Sequence, residues 1–221
     1  RSAVTCPESV CVQLNDGRLM IYARIEGGKY GGVMRCYSSN LGKNWTDWEY
    51  ELEEPLRGPG SLLDVKRLPS GNLLLVNNNT KSQRSGLTAY LSTDDGETYR
   101  YSLLIDERIS SYPDIALDGD GNIYIINDAH RYPNGEIRMT VITEQDIING
   151  YYSNPQKRNM LVCKVQGTDI KSTDLALAPA DCTTGEDMEA ILRSLPTTVN
   201  CTLSDGSTLT LNGSWNSGGY S

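Results

Sequence analysis

Three segments of this chain share one pattern: an apolar strand, a glycine turn and a second apolar strand. They are SVCVQL-NDG-RLMIYAR, SLLDVKRL-PSG-NLLLVNN and SYPDIAL-DGDG-NIYIIND, with turn glycines Gly17, Gly71 and Gly121 set 54 and 50 residues apart. A multi-stranded unit recurring every ~50 residues is the signature of propeller blades, small antiparallel sheets that bury their faces against each other. The spacing therefore predicts an all-β chain with roughly three blades over residues 1–165.

Composition agrees with short strands and many turns. The 221 residues include no Phe but thirteen Tyr, three Trp and twenty-one Gly. A formal net charge of −8 argues against a nucleic-acid or anionic-membrane partner, each of which calls for a basic face. No apolar run approaches the ~20 residues that cross a bilayer, so membrane insertion is not expected. An acidic total still permits a local cationic pocket for an anionic ligand. Six cysteines without a CxxC pair, and a single histidine, make a zinc site an unattractive reading. Most of the cysteines lie in strand-like stretches and are expected as buried thiols, with disulfides left open by the even count. Asp118-Gly-Asp-Gly-Asn122 imitates the start of a calcium loop, yet Ile123 and Ala129 stand where that loop needs Gly and Glu, so a hairpin turn is expected. No cofactor or metal is implied.

The first two units carry a further shared element, Ser38-Ser-Asn-Leu-Gly-Lys-Asn-Trp45 and Ser92-Thr-Asp-Asp-Gly-Glu-Thr-Tyr99, again 54 residues apart. In such a loop the Asn or Asp accepts from nearby backbone amides, Gly takes a positive φ, and the ring packs into the blade. It is a folding staple, not a catalytic element. The third unit departs from this pattern: the strand EIRMTVI runs into a helix start at Thr143 to Asp146.

The paired loops resemble the Asp box of sialidases and related propellers. The stretch Glu8 to Arg24 is similar to the sialidase segment in which a glutamate opens one strand and an arginine closes the next. Here the two lie sixteen residues apart across the NDG turn, so strand pairing brings their ends together. Arg84, before the strand that leads into the second box, resembles the family's carboxylate-binding arginine. Tyr112, after the last box and before a hairpin, matches the family's nucleophile. The resemblance implies that Tyr112 is the nucleophile, Glu8 its base, and Arg24 and Arg84 a clamp for the substrate carboxylate. It matches no residue here to the family's third arginine or acid/base aspartate, which belong to N-terminal blades.

These residue types suit that chemistry. A sialoside carries a carboxylate on its anomeric carbon, which repels a carboxylate nucleophile but not a neutral phenol, and sialidases use Tyr in that role. A phenol with an ordinary pKa near 10 needs a neighbouring base, and guanidinium forks hold carboxylates bidentately. Asp128 and Arg131 follow the Tyr112 hairpin and are expected at the same mouth as substrate-binding groups; His130 is read as a rim residue. Each also has a plain competitor: a solvated edge acid for Glu8, surface ion pairs for the arginines, a rim aromatic for Tyr112.

After residue 166 the pattern changes. GEDMEAILRSL reads as a short capped helix ended by Pro196, and TTVNCTL-SDG-STLTLNGSW as a hairpin. The run from Leu195 to Trp215 resembles small immunoglobulin-like domains of bacterial surface proteins, so residues 166–221 are expected to be such a module, a passive spacer or adhesion unit. The chain opens on Arg1 and holds about three blades, so it reads as the C-terminal half of a longer propeller whose N-terminal half is either missing here or supplied by another chain as a partner. The resemblance implies a secreted or bacterial cell-surface exo-glycosidase acting on sialylated or other acidic glycans. The alternatives are a non-catalytic carbohydrate-binding or adhesive propeller, and a propeller enzyme for another acidic sugar.

Overall fold

The protein is described from a computed structural model covering residues 8–25, 32–51, 54–131, 135–168, 196–203 and 206–212. It divides into two compact units, residues 1–162 and 163–221.

The first unit is almost entirely antiparallel strand. One sheet holds β1 (Ser9–Gln13), β2 (Leu19–Arg24), β3 (Val33–Ser38) and β4 (Glu49–Glu51) in chain order. A second holds β5 (Asp64–Arg67), β6 (Leu73–Asn78), β7 (Leu87–Ser92) and β8 (Tyr101–Asp106), also in chain order. The third begins β9 (Ser110–Leu117), β10 (Asn122–Ala129), β11 (Glu136–Thr143). Such up-and-down sheets, each starting again from an inner strand, are propeller blades. Helix α1 (Glu144–Asn149) follows β11, and β12 (Met160–Thr168) then crosses from the first unit into the second.

Blade order explains the apolar patterns. Strands β6 and β7 are buried at every position, because the middle blade has a neighbour on both faces. Leu73 and Leu75 pack with Val12, Met20 and Tyr22 of the first blade, whereas Leu74 and Val76 pack with Ile115, Ile123 and Ile125 of the third. Successive strand residues point to opposite faces, so an uninterrupted Leu-Leu-Leu-Val run is what a two-sided blade requires. Polar staples add direction to this packing. Asp64 Oδ2 accepts from Ile115 N at 2.9 Å, and Asn78 Nδ2 donates to Ser110 O at 2.9 Å, both linking the middle blade to β9. Burial pushes the Asp64 carboxyl above its ordinary range, a cost that its amide bonds partly offset.

The two repeated loops share one hydrogen-bond pattern. Gly42 N donates to Ser38 Oγ and Asn44 N to Asn40 Oδ1, while Gly96 N donates to Ser92 Oγ and Thr98 N to Asp94 Oδ1. The rings differ from the sequence expectation. Tyr99 packs against the core and meets Tyr22 through their hydroxyls at 3.0 Å, but Trp45 lies at the surface with Nε1 on Gly42 O. The cysteines also diverge. Cys36 and Cys201 are buried, but Cys11 is exposed, because on β1 it alternates with the inward-facing Val12.

Asp118 forms a closed turn: its carboxylate accepts from Asp120 N, Asn122 N, Asn122 Nδ2 and Tyr124 Oη at 2.8–3.0 Å. Thr143 and Asp146 complete a reciprocal capping box on α1.

In the second unit β12 pairs with β13 (Thr198–Leu203), and β13 with β14 (Thr208–Asn212), both antiparallel. The helix expected from GEDMEAILRSL lies outside the described residues. Among the described residues no helix is long and apolar enough to cross a membrane.

Two expectations follow for stability. Leu74→Ala should cost about 2–5 kcal/mol by opening a cavity in a site with no room to collapse, measured as a lower urea midpoint. Among the described residues four carboxyls are held below their ordinary pKa: Asp16, by hydrogen bonds from Arg18, and Asp94, Asp118 and Asp146. In Asp118, donation from Asn122 leads and brings the value to about 2; in Asp94 and Asp146, burial opposes the shift but is outweighed by hydrogen bonds from Thr98 and Ser92, and from Thr143 and Ser153. A depressed folded-state pKa gives stability that is complete above the unfolded value of about 3.9 and lost as pH falls through the folded value. Urea midpoints should therefore hold steady above about pH 5 and fall below it, with a shallower fall in Asp118→Asn.

Candidate active site

The expected residues reach one face of the first unit from all three blades. Glu8 precedes β1 and Arg24 ends β2, and the pairing of Ser9 with Ala23 sets them opposite each other, with Arg24 N donating to Glu8 O at 3.1 Å. Tyr112 lies on β9, the inner strand of the third blade. Its hydroxyl donates to Glu8 Oε1 at 3.0 Å and accepts from Arg24 Nη1 at 3.0 Å. The same Nη1 lies 2.9 Å from Glu8 Oε2. Arg24 is buried and Glu8 and Tyr112 are half-buried, so this phenol–carboxylate–guanidinium contact is shielded but reachable.

Tyr112 is aimed by an irregular backbone. The sequence suggests an extended strand head before Pro113, but Tyr112 takes φ +53°. Register runs Ile126 to Asp114 and then Asp128 to Ser111, which leaves Tyr112 and Pro113 opposite Asn127 alone. This is a β-bulge with its first residue in left-handed conformation, a position normally given to Gly. Pro113 suits it, having no N–H to offer a ladder. A bulge re-aims the side chain, and for a tyrosine the conformation costs about 1–2 kcal/mol that surrounding contacts must offset.

Two further guanidinium groups stand over the Tyr112 ring. Arg84, in the loop between β6 and β7, has its Cζ 5.2 Å from the centroid; Arg131, after β10, has its Cζ at 4.4 Å. Arg131 is fixed by Asp128, with Nε and Nη2 both 2.6 Å from Oδ2, and Asp128 Oδ1 accepts from Ser111 Oγ at 2.7 Å. Burial works against the Arg131 charge, but the Asp128 carboxylate and Tyr112 outweigh it and raise the pKa above its ordinary value. His130 also takes a positive φ, +48°.

Sequence reasoning missed Gly60 and Ser111. Gly60, at φ +66°, turns its carbonyl toward both clamp arginines, accepting from Arg24 Nη1 at 3.3 Å and Arg84 Nη2 at 3.4 Å. The Gly-Pro-Gly run in front of β5 was the available signal. Ser111 was visible only as a neighbour of Tyr112. A cavity of about 410 Å³ adjoins the site and is lined by Arg84, Asp128, His130 and Arg131 among others. A larger one, about 640 Å³ beside Tyr37 and Trp45, holds none of the expected residues, and its Arg18 and Arg35 are paired with Asp16 and Glu49.

Chemically, the arrangement pairs a phenol with a proton acceptor and surrounds it with three guanidinium groups, which suits an anionic ligand. Gly60→Ala should lower stability by about 1 kcal/mol or more, since the new Cβ would meet Ile25 O at 3.4 Å in a backbone region unfavourable to L residues; the urea midpoint reports it.

Residues 4–125 match the BNR repeat-like domain family. No curated protein matches the chain in sequence. Among solved structures, a Hadza microbial sialidase is similar at 17% identity and TM-score 0.39, over 62% of this chain and 37% of that one. An ulvan lyase is similar at 14% identity and TM-score 0.48, over 70% and 41%. An endo-1,4-beta-xylanase from Bacteroides thetaiotaomicron is similar at 13% identity and TM-score 0.44, over 64% and 48%. The chain spans less than half the length of each of these structures.

Proposed function

The chain belongs to the BNR repeat-like domain family, and from that premise we propose that it carries the nucleophile side of a sialidase-like exo-glycosidase site for terminal sialosides. One observation carries this reading: the Tyr112 hydroxyl is held between the carboxylate of Glu8 and the guanidinium of Arg24.

In this proposal Tyr112 Oη attacks the anomeric carbon while its proton passes to Glu8 Oε1, 3.0 Å away. The glycosidic C–O bond breaks, and the departing oxygen takes a proton from an acid not among the matched residues of this chain. Water then attacks the same carbon and gives its proton to that same acid, now deprotonated; the C–O bond to tyrosine breaks, and the phenolate recovers its proton from Glu8. Arg84, with Arg24 beside it, holds the sugar carboxylate and offsets the charge beside the reacting carbon. Placing Tyr112 in a strained bulge matches the use of strain to pre-set a reactive group.

A carbohydrate-binding or adhesive propeller without turnover is the second reading. The 2.9 Å pairing of Arg24 with Glu8 favours it, because that pairing occupies part of the clamp. In either case the C-terminal unit is proposed as an immunoglobulin-like spacer of a secreted or cell-surface protein.

The test is fluorophore release from an aryl α-sialoside by the full-length protein. Tyr112→Phe should reduce kcat by at least about 10³-fold and Glu8→Gln by about 10²–10⁴-fold, with folding intact by circular dichroism. Absence of release, together with sialic acid binding by calorimetry, would remove the hydrolase reading and leave the binding one. Loss of both would remove the sialoside.

A further inference from the structure

Arg84 and Arg131 do more than flank a phenol. Both line the cavity of about 410 Å³, together with Ser110, Ser111, Asp128 and His130, whereas Glu8, Arg24 and Tyr112 do not line it. The two guanidinium groups therefore stand between two spaces: the one at the Tyr112 ring and a second beyond it. The cavity falls in the size range of small-ligand sites. Its walls come from the β6–β7 loop, the start of β9 and the end of β10, so it opens along the seam between the second and third blades.

Its charge is suited to an anion. Asp128 neutralises one guanidinium by holding two nitrogens of Arg131 at 2.6 Å. Arg84 remains uncompensated by any carboxylate among the described residues, and its one hydrogen bond there, to Gly60 O at 3.4 Å, leaves most of its five donors to be shared between the carboxylate at Tyr112 and an anion in this cavity. Ser111 Oγ, bonded to Asp128, fixes the far wall. The backbone on that wall is held out of its preferred region at His130, φ +48°, as it is at Tyr112, a pairing typical of sites where geometry is imposed for a purpose. On a protein of net charge −8, a cationic cavity stands out against the surrounding potential.

We propose that this cavity is a second anion subsite, taking the carboxylate or sulfate of the sugar unit next to the one held at Tyr112. The site would then read two adjacent acidic units of a glycan. This rests on the acidic-glycan reading above and narrows its substrate class.

Calorimetry on the full chain tests it with three ligands that share one terminal sialic acid: sialyllactose, with a neutral neighbour; disialyllactose, with a carboxylate neighbour; and a sulfated sialyllactose. At least one doubly anionic ligand should bind about tenfold or more tighter than sialyllactose, the gain expected of a charge-assisted contact. Which of the two gains separates carboxylate from sulfate. That ratio should fall toward one in Arg131→Gln, and also in Ile109→Glu, which puts a negative charge on the cavity lining from a side chain 60% exposed. Using the ratio cancels any general loss of affinity. Equal affinity for all three ligands, or an advantage that survives both variants, would overturn the subsite while leaving the acidic-sugar site standing. No binding of any ligand would overturn both.

Discussion

Burial of the middle blade on both faces is the constraint from which the rest of this structure follows. Strands β6 and β7 have no solvent side, so Leu73 and Leu75 must match one neighbour while Leu74 and Val76 match the other. That double contact sets the spacing of the inner strands, β1, β5 and β9, and hence where their ends lie. Glu8 and Tyr112 are 104 residues apart yet meet at 3.0 Å only because one intact blade holds the other two at a set separation. Side chains at Asp64 and Asn78 reinforce that spacing with directional bonds, which apolar packing alone does not supply.

The site places strain where the scaffold can hold it. Tyr112 adopts a left-handed backbone that a glycine would take freely, and four groups keep it there: Glu8 and Arg24 at the hydroxyl, Arg84 and Arg131 at the ring. Gly60 and Asp128 keep those guanidinium groups in position in turn. A mouth so rich in arginine on an acidic chain is stable because each guanidinium has a partner carboxylate, a carbonyl or an aromatic face.

Much of this was legible from residue patterns. Turn glycines at a constant interval marked the blades, two copies of the Ser-x-Asn/Asp-x-Gly loop marked their outer turns, and Thr143 with Asp146 marked the start of α1. The approach of Arg24 to Glu8 followed from simple strand pairing across a two-strand turn. Other features were not legible. Trp45 and Cys11 occupy positions that composition alone would bury, and both are exposed, because exposure depends on which neighbour covers a blade face and not on the residue's own hydropathy.

By itself the sequence determined the local units: the alternating and continuous apolar runs, the tight turns, the capped helix start, and the chain order of Glu8, Arg24, Arg84 and Tyr112. These depend on interactions within a few residues or between paired strands, and short-range chemistry dictates them. Only the tertiary structure decided that Tyr112 sits on a bulge, that Arg131 lies over its ring with Asp128 behind it, that Gly60 serves two arginines, and that a cationic cavity opens beyond them. Those depend on how paired strands and separate blades are set against each other, and a shift of one residue in strand register reverses the direction of every side chain involved.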